Sequence, residues 1–98
     1  MNTLETRFSE LKYCKFSKEQ IIAGSFRILR LLKPSVYLKL GWEIVTTLIV
    51  YSPGVSTYWQ DIISSIKAKW HTLTLNEQDN IIAALVQLNK HGKIEKYL

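Results

Sequence analysis

Two short stretches commit this chain to helices. Ser17-Lys18-Glu19-Gln20 and Thr74-Leu75-Asn76-Glu77 each set a hydroxyl residue three positions before Gln or Glu. In that pattern the hydroxyl accepts from the backbone N–H three residues on, while the later side chain reaches back to the first residue's N–H. Two orphan donors at a helix start are satisfied together. Phe16 precedes the first box and Ile21 falls at its N4 position, the spacing of a hydrophobic staple. Stops are marked as well: Pro34 drives the residue before it out of the α region, and Ser52-Pro53-Gly54 is a break.

Apolar spacing between these marks is helical. Leu4, Phe8 and Leu11 recur at i, i+4, i+7 over Thr3 to about Tyr13. Ile21, Ile22, Phe26, Ile28, Leu29 and Leu32 form the apolar arc of a second helix that stops before Pro34. A third is expected from about Pro34 to Tyr51. Its β-branched residues from Ile44 to Val50 also suit a strand. No second strand-like run exists to pair with it, and Lys39, Glu43 and Thr46 fall on one narrow helical stripe. The expectation is therefore a helix, buried at the centre of a bundle. A fourth, from about Ser56, carries Trp59, Ile62, Ile63, Ile66 and Trp70 on one face. A fifth turns Ile81, Ile82, Leu85 and Leu88 inward and ends at His91-Gly92, with Gly92 as a left-handed cap. Lys93 to Leu98 reads as a short, loosely attached tail. The expectation is an all-α chain, residues 1–98 forming a single small helical bundle of about five helices.

A length of 98 residues suits one domain, and 47% hydrophobic residues supply a core without covalent staples. The lone Cys14 can form no internal disulfide, which fits a reducing compartment. Residues 1–10 do not read as a signal peptide, and the longest uncharged apolar stretch, Ile44 to Tyr51, is far short of the about 20 residues a spanning helix needs. A cytoplasmic protein with no membrane contact is expected.

Charge is the most specific functional signal. Between Leu11 and Trp42 seven bases, Lys12, Lys15, Lys18, Arg27, Arg30, Lys33 and Lys39, face one acid, Glu19, while residues 43–98 are balanced. The net charge of +5 is a local property, and local positive fields answer polyanions. Arg27 and Arg30 sit opposite the apolar arc of the second helix. Ordinary solvated faces carry acids at i±3 or i±4, and neither arginine has one there, although an acid from another helix could serve. Beside Ala23 and Gly24, they could let a phosphate backbone approach closely. Lys12 to Lys18 interleaves bases with Tyr13 and Phe16, the composition that tracks a single strand. Phe16 already has a staple to make and Tyr13 could close the first helix, so the lysines carry the functional weight. These seven bases are the candidate nucleic-acid-binding residues.

Other chemistry finds no pattern. His71 and His91 have no ligand-spaced neighbours, Cys14 has no nucleophile's partners, and Asp61, Glu77 and Asp79 suit the first turns of helices. Gly24, Gly41, Gly54 and Gly92 are scattered and make no phosphate loop. No enzyme activity, metal or cofactor is expected. Trp59 and Trp70 suit the core or a subunit contact.

In size, helical character, one-sided basicity and lack of catalytic residues the chain resembles the small subunits of Cascade-type CRISPR effector complexes. Those are helical bundles that stack along the complex and guide target and displaced DNA strands in antiviral defence. The resemblance spans the whole chain and rests on architecture and charge. It implies a ribonucleoprotein subunit in several copies, contacts to larger protein subunits, and phosphate contacts to DNA or RNA through the basic face. Two other classes fit the composition. A small dimeric DNA-binding regulator could use the Leu32–Ser35 turn as a helix-turn-helix, but the following helix is apolar nearly all round and offers a major groove little to read with. A protein-binding adaptor or inhibitor would set the basic face against an acidic protein.

Overall fold

A computed structural model of the chain describes residues 2–32, 59–92 and 94–98, with Pro34 and Leu38 besides. Every regular element among these residues is helical, as an all-α chain requires. They form four α-helices, against about five expected for the chain: α1 (Leu4–Leu11), α2 (Lys18–Leu31), α3 (Trp59–Lys69) and α4 (Leu75–Gly92). Single 3-10 turns follow α3 (Trp70–Thr72) and α4 (Ile94–Tyr97). The helix expected over Pro34 to Tyr51, its strand alternative and the Ser52-Pro53-Gly54 break lie outside the described residues, apart from Pro34 and Leu38.

Both capping boxes form. Ser17 Oγ accepts from the Gln20 N–H at 3.1 Å and Gln20 Oε1 accepts from the Ser17 N–H at 3.0 Å. Thr74 Oγ1 accepts from the Glu77 N–H at 3.1 Å, and Glu77 Oε1 accepts from the Thr74 N–H at 3.0 Å. Phe16 packs against the core from outside the first box. At α1, Thr3 Oγ1 accepts from the Thr6 N–H, fixing a start one residue later than expected. α2 ends at Leu31, and Leu32 turns the chain into extended backbone two residues before Pro34.

The core is built where α2 and α4 cross. They run in opposite directions, with Ile21 beside Val86 and Arg27 beside Glu77. The crossing centres on Gly24: a β-carbon there would lie 1.8 Å from the Asn80 carbonyl oxygen and 3.1 Å from Ala84 Cβ. Only glycine lets these two backbones come so close. Ser25 is buried beside it and its hydroxyl donates to the Ile21 carbonyl at 2.6 Å. Ile28, Leu29, Leu31 and Leu32 complete the buried face of α2. Ile22 and Phe26, which fall on the expected apolar arc, are instead exposed, because α4 covers the Gly24 side of the helix.

From Ile81 to Val86 every side chain of α4 is buried. Among the described residues α4 is therefore the central helix. α1 lays Leu4 and Phe8 against it, and α3 contributes Trp59, Ile62, Ile63 and Ile66, with Trp70 following, as the sequence predicts. Asn2, Trp70 and Gln78 close a polar triangle. Asn2 Nδ2 donates to Gln78 Oε1 at 3.1 Å, Gln78 Nε2 to the Trp70 carbonyl at 2.9 Å, and Trp70 Nε1 to the Asn2 carbonyl at 3.1 Å. The buried Gln78 amide is thus satisfied at both ends, as burial of a polar group demands.

The C-terminal segment is not the loose tail expected. Ile94 is 0% exposed, and Tyr97 and Leu98 pack against the same core. Asn89 Oδ1 accepts from the Glu95 N–H at 3.0 Å and Lys67 Nζ donates to the Leu98 carbonyl at 3.0 Å, fastening the turn on both sides. Among the described residues no helix is long and apolar enough to cross a membrane.

Candidate nucleic-acid interface

The seven candidate bases separate into three groups. Lys12 and Arg27 are paired across the fold: Lys12 Nζ lies 2.9 Å from Glu95 Oε1, and Arg27 Nη2 lies 2.7 Å from Glu77 Oε2. Lys15, Lys18 and Arg30 are exposed and form no ion pair among the described residues. Lys33 and Lys39 lie outside the described residues. The acid that answers Arg27 comes from α4, where the spacing along α2 could not show it. Gly24, read beside the arginines as room for a phosphate, instead makes room for the backbone of α4.

Folding adds a base from the charge-balanced half of the chain, where the sequence gives it less weight. Lys90, in the last turns of α4, lines the same groove as Lys15, together with Cys14, Phe16, Val86 and Gln87. The groove holds about 250 Å³. Lys18 opens α2 three residues beyond Lys15 and is exposed. Tyr13 does not close α1, which ends at Leu11. It stands 89% exposed, with Lys12 Nζ 5.3 Å from its ring centre. The loop between α1 and α2 therefore presents an exposed aromatic ring, the half-buried Phe16 and one lysine without an ion pair among the described residues, Lys15, with Lys18 following at the start of α2. A lysine's charge close to another's in primary structure was legible; Lys90 beside Lys15 required the antiparallel pairing of α2 with α4.

A second groove, about 320 Å³, opens at the other end of that pairing. Arg27 and Arg30 line it from α2 with the half-exposed Phe26, and Asn76, Glu77 and Asn80 line it from α4. Glu77 is the electrostatic centre of this groove. Hydrogen bonding at Thr74 holds its carboxyl below the usual carboxylate range, and the positive charges of Arg27 and Arg30 act in the same direction. It stays ionised near neutral pH and cancels part of the arginine field. Lys12 is held the other way: its bond to Glu95 and that carboxylate's charge raise its pKa.

Other chemistry has less to build on. Cys14 is exposed, and no group of three His, Cys, Asp or Glu among the described residues is placed to hold a metal ion. Elsewhere ion pairs tie elements together: Arg7 bridges α1 to Asp79 and approaches Glu10 at 3.5 Å, and Lys67 meets Glu5 at 3.0 Å. At the two grooves and the loop beside them, Lys15, Lys18, Arg30 and Lys90 form no ion pair among the described residues; the exposed Lys69, Lys96, Glu19 and Asp61 form none either. Positive charge arranged in this way can hold anions. No protein-family model, curated protein or solved structure matches the chain.

Proposed function

We propose that this chain is a non-catalytic, cytoplasmic subunit of a nucleoprotein complex that contacts nucleic-acid backbone without reading its sequence. The observation that carries the reading is the groove flanked by Lys15 and Lys90. Bases from far apart in the chain line it together, neither is paired with a carboxylate among the described residues, and the exposed Tyr13 and Lys18 lie within three residues of Lys15 along the chain. Mobile, strongly hydrated lysines of this kind answer phosphates by charge and do not distinguish bases. The five-helix bundle and a place among the small subunits of CRISPR effector complexes, with larger protein subunits and further copies as partners, belong to the same proposal. They follow from the resemblance in size, helical character and charge.

Fluorescence anisotropy with labelled single strands and duplexes tests it across a salt series. Affinity should vary little with sequence and fall steeply with salt. The double variant Lys15→Gln/Lys90→Gln should flatten the log–log salt slope for single strands by about 0.7 for each phosphate left without its lysine. Lys69→Gln, an exposed base on α3, should not. A marked preference for one duplex sequence would favour the dimeric regulator. Binding only to acidic protein would favour the adaptor.

A further inference from the structure

We propose that the groove between α2 and the start of α4 is a second contact for single-stranded nucleic acid, in which Arg27 and Arg30 take a phosphate, Phe26 stacks a base, and Glu77 holds the affinity down. The inference rests on the nucleic-acid reading and adds a site, a strand preference and an internal competitor to it.

Its parts are complementary to one nucleotide. The volume of about 320 Å³ lies at the lower end of small-ligand sites. Arg30 is exposed and makes no ion pair among the described residues, so its planar fork is available to a phosphate. Phe26 is 50% exposed at the same groove, a large aromatic turned to solvent next to two guanidinium groups. Aromatic faces beside cations are how proteins hold unpaired bases, whereas stacked bases in a duplex offer no face to it. Asn76 and Asn80 add amide donors and acceptors at the rim. Glu77 already occupies the place a phosphate oxygen would take on Arg27, at 2.7 Å from Nη2. An incoming phosphate must share or displace it, and the two anions repel.

The test is Glu77→Gln, because removing an acid should then strengthen binding. Glutamine keeps the capping box, so α4 should form normally; circular dichroism and a thermal melt verify this. With a labelled oligothymidine strand, E77Q should bind roughly two- to fivefold more tightly than the native chain, the range an exposed ion pair's release provides. Phe26→Ala should weaken the single strand about tenfold while leaving a duplex unchanged. Arg30→Ala should lower the single-strand salt slope by about 0.7. If E77Q folds and binds no better, Glu77 is a capping residue only and the inference falls. It falls too if Phe26→Ala affects both probes alike, or if polyglutamate competes as well as the oligonucleotide. Where Lys15→Gln/Lys90→Gln weakens binding and these variants do not, the proposed function stands without this groove. If neither the native chain nor E77Q binds any strand, both readings are overturned.

Discussion

At Gly24 the usual preference of a helix for alanine is reversed by its neighbour. Alanine is the better helix former by about 1 kcal/mol in an isolated helix. Here its β-carbon would enter the carbonyl group of Asn80, which is backbone and cannot swing aside as a side chain does. Relief requires α2 to move away from α4, loosening Ile28 and Leu85 in the core between them. Overpacking of this kind costs about 1–3 kcal/mol, occasionally more. Gly24→Ala should therefore lower stability by about 1–3 kcal/mol in urea denaturation, with a melting point lower by roughly 4–8 °C per kcal/mol. An unchanged or raised midpoint would show that the helices do not cross this closely. Ala23, one residue earlier and exposed, should accept larger side chains without such a loss.

At the level of elements, the C-terminal 3-10 turn has a structural role out of proportion to its length. Its apolar residues Ile94 and Tyr97, three apart as a 3-10 turn brings onto one side, and Leu98 directly after it all pack against the core. Ile94 is enclosed completely. Replacing it with alanine removes buried methyl groups and leaves a cavity, a change that costs about 2–4 kcal/mol. Lys96, exposed on the same turn, should tolerate alanine within about 0.5 kcal/mol. Urea titration of the two variants checks the contrast. Equal, small effects would mean that the turn contributes little to the fold. The same element carries Glu95, which pairs with Lys12, so docking the turn also removes one base from the exposed set.

For the whole molecule, stability should depend on pH through ion pairs that join distant segments. Lys67 holds the Glu5 carboxyl below its ordinary value of 4.5, chiefly by a hydrogen bond, and Thr74 does the same for Glu77. A carboxylate whose folded pKa is depressed adds stability that is complete above the unfolded value and is lost as pH falls through the folded one. Lys12, raised from its ordinary 10.5 by Glu95, adds stability that is complete below that value and is lost as pH rises through the raised one. The urea midpoint should therefore hold level between these windows and fall as pH drops below about 4.5. Glu5→Gln should make that acid limb shallower, and an acid limb identical to the native one would show that the Glu5–Lys67 pair does not set it.

The sequence by itself determined where α2 and α4 begin and most, though not all, of the apolar face of each described helix, Ile22 and Phe26 being the exceptions. Ser17 with Gln20 and Thr74 with Glu77 cap as their spacing requires, and Leu4, Phe8, Trp59, Ile62, Ile66, Ile81 and Leu85 are all buried. Such signals depend on residues within about four positions of one another, and a helix brings those together wherever it lies. The basic segment was legible in the same way, as a local excess of charge. Only the tertiary structure decided what that charge can do. Glu77 answers Arg27, Glu95 answers Lys12, Lys90 joins Lys15, and Gly24 faces Asn80 because α2 and α4 pack antiparallel and the last turn folds back. Charge summed along a chain cannot give the field of a folded surface, since ion pairs form between whichever residues packing brings within a few ångströms.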